Sequence, residues 1–207
     1  MKFDKDDLLL YAVTDRAWLK DGETLADAVE KALKGGTTFL QLREKHLDEE
    51  AFLNEAREIK EVCRRYNVPF IINDNVELAV EIDADGIHIG QDDMPVPEAR
   101  KLIGPNKILG LTVTTPEQMA EVNTELVDYL GCGPVFPTIT KDDAPPPMGV
   151  EGWAELARLS PLPVVAIGGL NKERTAAIRA TGLAAGVAVV SYICAAENPT
   201  LAAQELL

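Results

Sequence analysis

Gln41, Arg43 and Lys45 occupy every second position at the end of the apolar run Thr38–Lys45. Alternate residues of a strand share a face, so one amide and two cations point the same way. Arginine offers a planar fork and lysine a compact charge, a combination suited to phosphate or diphosphate. A solvated, charged strand end is the bland alternative, and a desolvated Lys45 would equally suit Schiff-base chemistry. A second group is acidic: Asn73-Asp74 and Gln91-Asp92-Asp93 each follow a later apolar run. Asp74 and Asp93 have no cationic neighbour in sequence, and a pair of hard oxygen donors suits Mg²⁺, which keeps waters and binds substrate phosphates. The competing role is that Asp92 or Asp93 caps a helix beginning near Pro97. His88 lies inside an apolar run and reads as a core or supporting residue rather than a ligand. The third group, Thr138-Ile139-Thr140-Lys141, places two hydroxyls and an ammonium in one polar loop. The fourth, Gly168-Gly169 with Val190-Ser191, allows backbone N–H groups to approach an anion. Two phosphate features and a metal imply two phosphorylated substrates, or one phosphorylated at both ends. No acid–base or nucleophile–base pair stands out, so charge stabilisation and positioning are expected rather than hydrolysis.

Each group ends one of eight short runs: Leu8–Asp15, Thr38–Lys45, Phe70–Asn75, Gly86–Gly90, Ile108–Val113, Tyr129–Val135, Val164–Gly169 and Gly186–Ile193. Most are continuously apolar, as strands buried on both faces are. Helical patterns lie between several of them. Thr24–Leu33 has a one-sided apolar stripe, Asp48–Arg65 has apolar residues at steps of three and four, and Pro97 and Pro116 open two more. Gly35-Gly36, Gly104 and Gly182 stand where helices should stop. Repeated strand–helix units close into a barrel or wind into an open sheet. The count of eight, and the lack of a Gly-x-Gly-x-x-Gly turn after the first run, favour an α/β fold of the (β/α)8 TIM-barrel type, one domain spanning residues 1–207. Such barrels gather their strand ends on one face, which is where all four groups fall. The Val13-Thr14-Asp15 and His88-Ile89-Gly90 ends look mainly structural.

The bulk properties narrow the function further. The 207 residues are 46% hydrophobic, enough for a sizeable core. Thirty-four acidic against 20 basic residues leave a net charge of −14, which disfavours nucleic acid yet permits a small anion at a local cluster of cations. The charged start Met1–Asp7 and the short run after it suggest no signal peptide, and no apolar run approaches membrane-spanning length. Three widely spaced cysteines, Cys63, Cys132 and Cys194, form no metal motif and suggest reduced thiols in the cytoplasm.

Taken together, the strings resemble the thiamine phosphate synthase family. Those carrying the resemblance are Tyr11-Ala12-Val13-Thr14-Asp15, Gln41-Leu42-Arg43-Glu44-Lys45, Asn73-Asp74, Gly86-Ile87-His88-Ile89-Gly90-Gln91-Asp92-Asp93, Gly133 through Lys141, Ala166-Ile167-Gly168-Gly169 and Gly186 through Ser191. The resemblance runs from about Leu8 to Pro199 and implies that a pyrimidine diphosphate and a thiazole phosphate are joined, releasing diphosphate. It places Gln41, Leu42, Arg43, Glu44, Lys45, Asn73, Thr112, Thr138, Ile139, Thr140, Lys141, Gly169, Val190 and Ser191 at substrates. Arg43, Lys45 and Lys141 become the catalytic cations, and Asp74 and Asp93 the Mg²⁺ ligands. The implied partners are two small molecules, with neither membrane nor nucleic acid, and homo-oligomer formation is left open. Four positions depart from the family pattern: Thr112 replaces a serine, Asp142 a lysine, Tyr192 a smaller residue and Thr114 a histidine. That histidine is the acid–base of the related thiazole tautomerases, the first rival reading. A non-catalytic barrel that binds thiazole phosphate is the second.

Overall fold

The computed structural model describes residues 3–140 and 144–207. Eight parallel strands form a closed barrel in sequence order: β1 (Leu10–Val13), β2 (Phe39–Leu42), β3 (Phe70–Asn73), β4 (Gly86–Ile89), β5 (Ile108–Val113), β6 (Tyr129–Cys132), β7 (Val164–Ile167) and β8 (Gly186–Val189). The seam closes between β1 and β8, where Tyr11 pairs with Ala188. The (β/α)8 expectation is met. The strands are shorter than the apolar runs because several run ends leave the ladder to serve as caps. Asp15, for example, accepts the Ala17 N–H and starts a 3-10 turn.

The helices are α1 (Leu25–Lys34), α2 (Glu49–Tyr66), α3 (Val76–Glu81), α4 (Val96–Ile103), α5 (Pro116–Ala120), α6 (Gly149–Arg158), α7 (Lys172–Ala180), α8 (Ser191–Cys194) and α9 (Pro199–Gln204). Local chemistry sets their ends. Thr24 and Asp27 form a reciprocal capping box at α1, a device worth about 1 kcal/mol. Asp48 caps α2 through the Ala51 N–H, and Asn67 ends it in the left-handed region. Pro95 precedes α4 with no side-chain cap, so neither Asp92 nor Asp93 is used there.

Strand parity divides the core in two. Leu10, Leu40, Leu42, Ile72, Ile87, Leu109, Leu130 and Val187 point outward and pack under the helices. Tyr11, Phe39, Ile71, Ile108, Tyr129, Val165 and Ala188 point inward and fill the barrel. Cys63 and Cys132 are buried free thiols, and burial pushes Cys132 up to about 12. Both are protonated core side chains at neutral pH. Among the described residues, no helix is long and apolar enough to cross a membrane.

Candidate active site

Inward positions near the C-terminal ends of the strands line a cavity of about 460 Å³. Gln41, Arg43, Lys45, Asn73, Asp74 and Asp93 lie on it. The alternation of β2 therefore continues past Leu42, and the three residues at steps of two do share a face. Leu42 and Glu44 belong to the opposite parity. Leu42 is fully buried beneath the helices. Glu44 accepts from Arg16 Nε and from the backbone N–H groups of Lys45 and His46. Neither side chain lines the cavity; both support the residues that do. Arg16 also donates to Glu55 Oε1 at 2.5 Å, and this clamp holds the turn that presents Lys45.

The acidic pair, which has no cationic neighbour in sequence, gains one in space. Lys45 Nζ lies 2.7 Å from Asp74 Oδ2, and Asn73 Nδ2 donates to Asp74 Oδ1 at 2.7 Å. Asp74 has φ +63, a left-handed conformation that non-glycine residues adopt at a cost and that recurs at functional sites. Burial pushes the Asp74 carboxyl above its ordinary range, Lys45 opposes the rise, and the neighbouring Asp93 adds to it. Asp93 Oδ2 accepts the Gly90 N–H at 2.6 Å, which fixes its carboxylate on the rim. Among the described residues, no group of three or more His, Cys, Asp or Glu forms a metal cage.

A second cavity of about 170 Å³ adjoins the first, and Thr112, Thr114, Thr140, Val190 and Ile167 line both. Its own walls include Thr138, Gly168, Gly169 and Ser191. Gly168 and Gly169 both have positive φ, +104 and +63. A Cβ on Gly169 would run into the Pro137 carbonyl oxygen, so glycine there permits the loops after β6 and β7 to touch. Ile139 is 80% exposed and lies on neither cavity, because it alternates with Thr138 and Thr140, whose hydroxyls bond each other at 2.9 Å. Lys141 and Asp142 lie outside the described residues.

Sequence reasoning missed several residues at the site. Arg174 Nη1 donates to the Gly169 carbonyl at 2.5 Å and its guanidinium lies 4.6 Å from the Phe136 ring centroid, propping the glycine turn. Gln118 accepts both the N–H and the hydroxyl of Thr114. Tyr11 lines the larger cavity beside His88, which is the supporting residue expected of it, with Tyr129 directly beneath. The Thr114–Gln118 bond follows from the spacing of a capped first turn. The others are long-range.

The fold and the cavity define a (β/α)8-barrel enzyme whose ligand cavity opens at the strand C-termini, the usual place in this architecture. The thiamine monophosphate synthase family model matches residues 10–193. A thiamine-phosphate synthase from Vibrio parahaemolyticus is 47% identical over 198 residues, covering 96% of either chain. One from Clostridium novyi is 45% identical over 184 residues, covering 89% of either. The solved thiamine phosphate pyrophosphorylase from Pyrococcus furiosus superposes with a TM-score of 0.86 at 35% identity, over 98% of this chain and 95% of that one. The chain belongs to the thiamine monophosphate synthase family, whose members are transferases.

Proposed function

We propose that the protein joins 4-amino-2-methyl-5-hydroxymethylpyrimidine diphosphate to thiazole ethyl phosphate, yielding thiamine phosphate and diphosphate. The observation that carries this reading is the pair of adjoining cavities. One is walled by cations and carboxylates, the other by glycines and hydroxyls. The larger, at about 460 Å³, falls within the range of about 300–1,000 Å³ usual for small-molecule sites.

Asp74 and Asp93 fit a Mg²⁺ ion. They are two adjacent hard-oxygen donors with the Lys45 ammonium beside them, an arrangement that a divalent cation completed by phosphate oxygens and water would relieve. When bound, the metal supplies Lewis-acid neutralisation of a diphosphate. Arg43, Lys45 and Lys141 hold the diphosphate and stabilise its charge as it leaves. The C–O bond to the pyrimidine methylene breaks with its electron pair going to diphosphate, and the ring amino group delocalises the positive charge left behind. The thiazole nitrogen then donates its lone pair to that carbon. Gln41 and Asn73 orient the pyrimidine, with Thr112 beside them. Thr138, Thr140, Gly169, Val190 and Ser191 hold the thiazole phosphate, so the nucleophile is positioned rather than activated.

The sequence requires no general base, and the site offers none at His88. Burial pushes that imidazole down to about 4, and both its nitrogens are engaged. The tautomerase alternative needs an imidazole at position 114, where Thr114 instead bonds Gln118. The test is to incubate purified protein with the two substrates and Mg²⁺ and to assay thiamine phosphate and diphosphate together. Equimolar release of both is expected. No product would transfer the reading to a tautomerase or a binding protein.

A further inference from the structure

An unbroken line of hydrogen bonds crosses the inside of the barrel beneath the larger cavity. Gln41 Nε2 donates to the Tyr11 hydroxyl. The Tyr11 and Tyr129 hydroxyls are 2.9 Å apart, Tyr129 lies 2.9 Å from His88 Nδ1, and His88 Nε2 lies 2.9 Å from Thr112 Oγ1. Gln41, Tyr11, Tyr129 and His88 are all at least nine-tenths buried. Both ends, Gln41 and Thr112, face ligand space.

The surrounding backbone is shaped to admit this line. A Cβ on Gly110 would overlap the Tyr129 ring and hydroxyl and crowd His88 Nδ1, and one on Gly131 would come within 3.1 Å of His88 Cε1. Two neighbouring strands thus lack side chains where the aromatic pair passes. The Tyr11, Tyr129 and Phe39 rings pack edge to face around it.

Each hydroxyl has one hydrogen and a neutral imidazole has one N–H, so the line has just two self-consistent directions. Burial keeps both tyrosines as phenols and the imidazole neutral. Gln41 selects the direction. With its amide nitrogen spent on Tyr11, Tyr11 donates to Tyr129, Tyr129 donates to His88 Nδ1, and His88 Nε2–H donates to Thr112. The Gln41 carbonyl oxygen is then the free end, on the strand face that also carries Arg43 and Lys45, where a partial negative charge is favoured. At the far end the Thr112 hydrogen is left over for the ligand.

We propose that this one-way line makes Gln41 an acceptor and Thr112 a donor toward the ligand, with Tyr11, Tyr129 and His88 as positioning residues. The site thereby selects a nitrogen heterocycle that presents an amino N–H to Gln41 and an acceptor to Thr112. A ring with a carbonyl in place of the amino group would set two lone pairs against each other. The identity of the substrate rests on the proposed function; the direction of the line does not.

Two measurements test this. The chain has two histidines, His46 and His88, so a His46→Gln variant isolates His88 in two-bond ¹H–¹⁵N spectra of histidine-labelled protein. The Nε2–H tautomer is expected, and Nδ1–H would overturn the direction. Tyr129→Phe should convert His88 to a mixture of tautomers; an unchanged spectrum would overturn the link through Tyr129. In steady-state assays, Tyr11→Phe should raise KM for the pyrimidine diphosphate about tenfold, the effect of losing one oriented hydrogen bond, and leave KM for the thiazole phosphate within about twofold. Equal changes in both would overturn the positioning role. Absence of turnover by the unmodified protein would count against the proposed function alone, since the tautomer is read without substrate. Misfolding of either tyrosine variant would likewise leave that readout intact.

Discussion

Lys45 and Asp74, 29 residues apart, meet at 2.7 Å on the rim of the barrel. A strand face of cations thus touches the carboxylate pair on the next strands, and the ammonium that would serve a diphosphate already neutralises part of the acidic site. The Lys45 side chain is about half-exposed and that of Asp74 less so, so the pair is open to exchange with an entering ligand.

Asp74→Asn and Asp93→Asn each keep the shape and remove one anionic donor. Asparagine also tolerates the left-handed backbone at position 74. Each variant should lose Mg²⁺-dependent turnover by about 100-fold or more with an unchanged urea midpoint. Normal turnover in both would sink the assignment of these carboxylates to the metal.

Ser191 lines the smaller cavity and not the larger one. Ser191→Ala should weaken thiazole phosphate about tenfold by calorimetry, one hydrogen bond to a charged group, with little change for the pyrimidine diphosphate. Equal losses for both ligands would contradict the division of the site.

Arg16→Ala tests the clamp behind Lys45. The Glu44 side chain is 2% exposed, so removing Arg16 leaves a carboxylate held only by the Lys45 and His46 backbone N–H groups, at a cost of about 1–3 kcal/mol. The urea midpoint should fall and KM for the pyrimidine diphosphate should rise. Adding Glu44→Gln should restore part of the stability. A double variant no more stable than the single one would show that the charge is not the cause.

His88 gives the pH dependence. Its folded pKa, about 4, lies below the ordinary 6.5, so between those values the unfolded chain binds the proton that the folded chain excludes. The penalty is absent above about pH 6.5 and grows as pH falls toward 4. By pH 4.5 it amounts to about 2–3 kcal/mol. Asp74, with its raised pKa, acts in the opposite sense at the acid end. Urea titrations at pH 7 and 4.5 should therefore show a larger acid loss in the unmodified protein than in His88→Asn. Equal losses in the two proteins would refute a buried neutral imidazole.

Much of the fold was legible because a strand buried on both faces writes a continuous apolar run, and because parity carries Gln41, Arg43 and Lys45 to one side while sending Leu42 and Glu44 to the other. The same two-residue period turns Ile139 outward between Thr138 and Thr140. What stayed hidden depends on closure of the ring. Tyr11 and Tyr129 are 118 residues apart, and nothing local to either marks it as a polar bridge rather than a core aromatic. Arg16 and Glu44 sit on different strand loops, and the Lys45 partner of Asp74 emerges only when β2 lies beside β3. The acidic cluster after β4 was ambiguous for a different reason. Capping and ligation ask for the same side chain, and only the backbone donor chosen by Asp93 separates them.

The empty space at Gly110 and the bulk of Tyr129 amount to a single volume shared by two strands. Enlarging the glycine alone pushes the phenol out of line; shrinking the tyrosine alone opens a void. Variation at either position should therefore be tolerated only as a matched exchange. In a library randomised at 110 and 129 together, surviving sequences should trade size between the two sites while their summed volume stays nearly constant.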